Sequence, residues 1–95
     1  MKLTYSPESI NDLIRLREFI EIKNPQAAKR IAQSIKKGIN QLKSFPLIGV
    51  KVDKAPNPEI IRDLIIGNYT VRYLMRPKEI TILRIWHHKE KENRL

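Results

Sequence analysis

Two prolines divide the first half of this chain. Pro7 follows Ser6 in "SPES", and Pro25 follows Asn24 in "KNPQAA". Serine and asparagine side chains cap helices, and proline suits the first helical position, where an N–H would have no partner anyway. The residue before a proline is pushed out of the helical region, so a helix begun at Pro7 must stop by Lys23. Ile10, Leu13, Ile14, Leu16, Phe19 and Ile20 recur at helical spacing after the first proline. Ala28, Ile31, Ala32, Ile35, Ile39 and Leu42 do so after the second. The polar face of the first helix alternates in sign through Asp12, Arg15, Glu18 and Glu21. Helices joined by so short a link must form an antiparallel hairpin.

The remainder reads in period two. "MKLTY" alternates and predicts a strand over residues 2–5. "FPLIG" breaks the second helix, and residues 46–59, with Pro46, Gly49, Pro56 and Pro58, read as a loop. Strands are then predicted over 60–66, 68–75 and 79–86, with "GN" at 67–68 as a tight hairpin turn and "RPK" at 76–78 as a second turn. The fold class is therefore α+β. A first strand and a two-helix hairpin are followed by a three-strand antiparallel meander (β-α-α-β-β-β), with the helices on one sheet face. By parity, Leu83 and Ile85 meet the helices, Arg84 and Trp86 lie on the open face, and His87 and His88 point to opposite sides. Tyr73 is assigned to the core.

At 95 residues the chain is expected to form one domain, 1–95, with 89–95 a flexible tail. It holds no cysteine, so disulfides and thiolate metal sites are excluded. Its N-terminus lacks the apolar segment of a signal peptide, and no apolar run approaches the roughly 20 residues that cross a bilayer. The expected compartment is the cytoplasm.

Nineteen Lys and Arg against ten Asp and Glu give a net charge of +9, which calls for an acidic partner, nucleic acid or protein. The charge is uneven. Residues 1–23 are balanced, whereas 24–45 carry Lys29, Arg30, Lys36, Lys37 and Lys43 and no acid. The second helix thus pairs an apolar face with a purely basic one. Lys29, Lys36, Lys37 and Lys43, together with Arg72 and Trp86, are candidates for contact with a target or nucleic acid.

The stretches "YSPESINDLIRLREFIEIKNPQAAKRIAQSI", "LKSFPLIG", "IRDLIIGNYTVRYLM" and "ITILRIWHHK" resemble the RelE/ParE superfamily of type II toxin–antitoxin toxins, and their order and spacing fit the ParE-like branch. The resemblance implies a toxin that inhibits DNA gyrase without chemistry of its own. It also implies neutralisation by a cognate antitoxin whose acidic, partly disordered segment wraps it. The RelE-like alternative is a ribosome-dependent mRNA endonuclease, and a third reading is a plain basic nucleic-acid-binding module.

RNA cleavage needs a base, an acid and a cation on the phosphate. Arg62, Arg84, His87 and His88 are the candidates, with Lys51 and Lys54 nearby in the loop. RelE-type nucleases typically carry a tyrosine close to the C-terminus, whereas the last tyrosine here is Tyr73. Arg62 or Arg72 serves equally well as a structural ion pair with Asp63 or Glu79 across strands. No cofactor is expected. Two adjacent histidines diverge on a strand and have no third ligand, so no metal is expected either.

Overall fold

The computed structural model describes residues 1–90. β1 (Lys2–Tyr5) leads into α1 (Pro7–Lys23) and α2 (Pro25–Asn40), which a 3-10 turn over Gln41–Lys43 extends. Four strands follow: β2 (Val50–Lys51), β3 (Ile61–Ile66), β4 (Tyr69–Met75) and β5 (Glu79–His87). Both helix starts obey their local signals. The Ser6 hydroxyl accepts from the Ser9 N–H at 3.0 Å, and the Asn24 side chain accepts from the Ala27 N–H at 3.1 Å. Asn24 closes α1 and caps α2 at once, which is why the hairpin link is so short.

The strands form one mixed sheet in the order β1-β5-β4-β3-β2. The meander β3-β4-β5 is antiparallel, and Ile66 pairs with Tyr69 across a two-residue turn whose Gly67 takes φ 58°. Only glycine enters that left-handed region freely. Two pairings lie beyond the sequence expectation. β1 runs parallel to β5, with Tyr5 opposite Ile82, and the segment read as loop contributes the short edge strand β2 against Arg62 and Asp63.

The helices cover one face of the sheet. Leu16 of α1 and Ile35 and Ile39 of α2 pack with Leu42, Val71, Tyr73, Ile80, Ile82 and Ile85 in the core. The apolar stripe of α1 is only partly used: Ile10, Ile14 and Phe19 remain exposed, while polar Ser9 and Asp12 are buried.

The parity of β5 changes midway. Tyr73 pairs with Ile82 but Arg72 pairs with Arg84, so Leu83 is an extra residue in a β-bulge. Ile80 and Ile82 face the core before the bulge and Ile85 after it. The expectation that Leu83 and Ile85 together meet the helices therefore holds for Ile85 alone. Of the tail expected over 89–95, Lys89 and Glu90 continue as a turn after β5, and the rest lies outside the described residues.

Candidate functional site

β1 ends at Tyr5, so the second half of β5 has no strand beside it on that edge. The first turns of α1 take its place. The Ser6 N–H and hydroxyl donate to the carbonyls of Ile82 and Leu83, and the Asp12 carboxylate accepts the Ile85 N–H at 2.9 Å. Arg84 grips the same carboxylate with two hydrogen bonds, Nε to Oδ2 at 2.8 Å and an Nη to Oδ1 at 3.1 Å. Arg15 adds a third cationic donor at 2.6 Å and reaches Glu90 at 2.9 Å. Glu90 in turn accepts the His87 N–H at 3.2 Å, tying the turn after β5 to α1. Burial opposes ionisation of Asp12, but hydrogen bonds from Arg84, the Ile85 N–H and Arg15 outweigh it and hold its carboxyl below the usual range. Arg84 keeps the side of the sheet that carries Arg72 and Trp86, but Asp12, reaching over the bare edge of β5, engages it, so it is not a free cation.

Arg62 is held elsewhere. Its guanidinium donates to the carbonyls of Gly49 at 2.8 Å and Leu47 at 3.3 Å. Beside it, the buried Tyr73 hydroxyl donates to the Pro46 carbonyl at 2.7 Å and accepts the Gly49 N–H at 2.9 Å. Together they clip the segment that joins α2 to β2. With β4 between their strands, Arg62 and Arg84 sit roughly 10 Å apart in the sheet.

The two histidines diverge. His87 places its ring edge-on to Tyr69 with centroids 5.0 Å apart, on the helix side of the sheet. His88 meets the Thr70 hydroxyl at 3.1 Å on the opposite side. On that face Arg72 forks onto Asp63 at 2.9 and 3.0 Å and lies 5.0 Å from the Trp86 ring centroid. Trp86 is 6% exposed, so its ring is not presented to a ligand as the sequence reading expected. Lys29, Lys36, Lys37 and Lys43 are exposed and form no ion pair among the described residues. No three acidic or histidine side chains gather into a metal-binding group among the described residues.

Two grooves meet at the Tyr69–His87 pair. One, of about 460 Å³, runs between α1, the start of β4 and the end of β5; Leu16, Phe19, Ile20 and Tyr69 line it with the cations Arg15, Lys23 and Lys89 and the acid Glu90. The other, of about 520 Å³, lies between α2 and the β3–β4 turn, lined by Ile31, Ile35, Ile66 and Asn68. Lys23 Nζ sits 4.8 Å from the Phe19 ring centroid. Asp12, Arg15, Glu90 and Phe19 were not singled out from sequence. Asp12 carried a signal: it falls with Ser9 and Leu16 at positions spaced by three and four, the spacing of a buried face.

The structure matches the chromosomal ParDE toxin–antitoxin system of P. aeruginosa with a TM-score of 0.76, at 22% identity over 92% of this chain and 95% of that chain, a likeness of fold. No curated protein sequence matches significantly. The family described as the ParE toxin of the type II toxin–antitoxin system parDE matches residues 3–92, and this chain belongs to that family. It is the toxin half of such a system, and its partner is a cognate antitoxin. No helix among the described residues is long and apolar enough to cross a membrane.

Proposed function

We propose that this toxin acts in the cytoplasm by binding DNA gyrase, and that residues 1–95 work as one toxin domain without chemistry of their own. The observation that carries this reading is the commitment of Arg84 to buried Asp12. A ribonuclease mechanism needs cations and an acid/base pair aimed at one phosphate. Here Arg84 is engaged by Asp12 and Arg62 by two backbone carbonyls, and the two histidines, with ring centroids 6.5 Å apart, are held by different partners, His87 by Tyr69 and His88 by the Thr70 hydroxyl. These placements support a toxin whose surface, not a catalytic cluster, carries its effect.

The antitoxin segment we assign to this toxin is acidic, partly disordered when free, and orders on binding as an amphipathic helix or an extended stretch. Its seat is the groove beside α1. Phe19 and Ile20 offer apolar anchorage there, and Lys23 and Lys89 offer charges of the opposite sign.

A supercoiling assay tests the proposal. Gyrase is expected to lose activity progressively with micromolar toxin and to recover when antitoxin is added. Gyrase that stays fully active at those toxin levels rejects the reading.

A further inference from the structure

The outer face of α2 has no role in the arrangement described so far. Lys29 and Lys36 lie seven positions apart, as do Arg30 and Lys37, which places them in two adjacent rows with steps of about 10.5 Å along the helix axis. Lys43 continues the first row in the 3-10 turn. All five are exposed, and none forms an ion pair among the described residues. Of the twelve other cations among the described residues, six, Arg15, Arg17, Lys51, Arg72, Arg76 and Arg84, each hold a carboxylate. Unpaired cations are thus concentrated on α2 and its 3-10 extension, where residues 24–45 hold no acid to oppose them.

The residues between the cations tell what kind of anion they await. Gln26, Gln33 and Asn40 fill the centre of the face, and all are exposed. The large apolar side chains of α2, Ile31, Ile35 and Ile39, turn the other way with Ala28, although Ala32 of the expected apolar stripe is exposed. A protein interface needs an apolar centre, which this face lacks and the α1 groove has. Single-stranded nucleic acid is gripped by aromatic rings that stack on bases, and the face holds none. A straight, convex ridge of cations and amides, about 24 Å long for 16 residues, suits the regular phosphate backbone of a duplex, which carries one charge per roughly 1.7 Å of its axis.

We propose that the outer face of α2 binds the phosphate backbone of double-stranded DNA through Lys29, Arg30, Lys36, Lys37 and Lys43, without reading its sequence. This goes beyond gyrase inhibition and can be measured with toxin and DNA alone, so its failure leaves that reading untouched. The toxin would then hold DNA on one face and meet its antitoxin on another.

The test is fluorescence anisotropy with a labelled duplex two helical turns long, titrated between about 50 and 200 mM salt. With four or five phosphates neutralised, the logarithm of affinity is expected to fall against that of salt with a slope of about −3.6 to −4.5. The triple variant Lys29→Gln, Lys36→Gln, Lys37→Gln keeps residues of similar helix propensity. It is expected to flatten the slope by about 2.7, three contacts at roughly 0.9 each, and to retain wild-type circular dichroism. A control with Lys2→Gln, Arg76→Gln and Lys78→Gln removes as much charge elsewhere and is expected to bind like wild type.

No duplex binding at low salt overturns the proposal, and so does an unchanged slope in the triple variant. A control that loses as much as the triple variant overturns it too, since net charge alone would then explain the affinity. Single-stranded RNA bound more tightly than the duplex rejects the duplex assignment. A triple variant that keeps its duplex affinity but loses its antitoxin gives the face to the antitoxin and sinks the proposal.

Discussion

Asp12 and Arg84, 72 positions apart, are joined by two hydrogen bonds of 2.8 and 3.1 Å, and the Asp12 carboxylate is almost wholly buried. The pair fastens the first helix to the last strand at the point where β1 has run out. A buried carboxylate that accepts four hydrogen bonds is costly to leave half-satisfied.

Asp12→Asn keeps the shape but removes the charge, leaving Arg84 without its anion and Arg15 with Glu90 alone. It is expected to lower stability by about 2–4 kcal/mol, read from the midpoint of urea unfolding. Arg84→Ala in the same background should add little further, because the interaction it would remove is already broken.

The same carboxylate sets the acid limit. Its folded-state pKa lies below the usual aspartate value, because the cost of burial is outweighed by the hydrogen bonds from Arg84, the Ile85 N–H and Arg15. Between the folded and unfolded values the unfolded chain binds the extra proton, so stability rises with pH across that window. Asp12 thus contributes fully above about pH 4, and its contribution is lost as pH falls through the depressed folded value. The acid limb of an unfolding-versus-pH profile is expected to be shallower in Asp12→Asn; an identical limb would contradict the burial and bonding described.

Gly49 is required by close approach. A Cβ there would stand 2.6 Å from the Tyr73 hydroxyl and 3.0 Å from the Asp63 carbonyl. Gly49→Ala is expected to cost about 1–3 kcal/mol by overpacking. Tyr73→Phe removes the group that accepts the Gly49 N–H and donates to Pro46, and is expected to cost about 1–3 kcal/mol through the polar groups it orphans. Thermal unfolding of both variants checks this.

His87→Ala combined with His88→Ala is expected to leave growth inhibition intact, since the gyrase reading gives neither ring a chemical role. The loss of the edge-on contact with Tyr69 should cost about 0.5–1.5 kcal/mol. Toxicity abolished in a variant that remains folded would instead favour RNA cleavage.

Phe19 is 60% exposed over the groove beside α1. Phe19→Ala is expected to change stability little and to weaken antitoxin binding by about 1–2 kcal/mol, roughly five- to thirtyfold. Calorimetric titration of the antitoxin segment into the variant measures it.

Local chemistry decided a good deal of this protein in advance. Ser6-Pro7 and Asn24-Pro25 start both helices, the latter also ends α1 at Lys23, and "GN" makes the two-residue turn; each works through neighbours a few residues away, so each is legible in the chain. The order of elements and the family motifs were legible for the same reason. What only the tertiary structure decided depends on residues brought together from opposite ends. β1 pairs in parallel with β5, Leu83 slips out of register, and the bulge reverses which residues of β5 face the core. Strict alternation could not foresee that reversal, because one inserted residue shifts every later side chain to the other face. The packing of α1 on the bare edge of β5 made Arg84, an apparent surface cation, the partner of a buried aspartate, while the cations of α2, whose facing is set by helical periodicity alone, stayed where the sequence had put them.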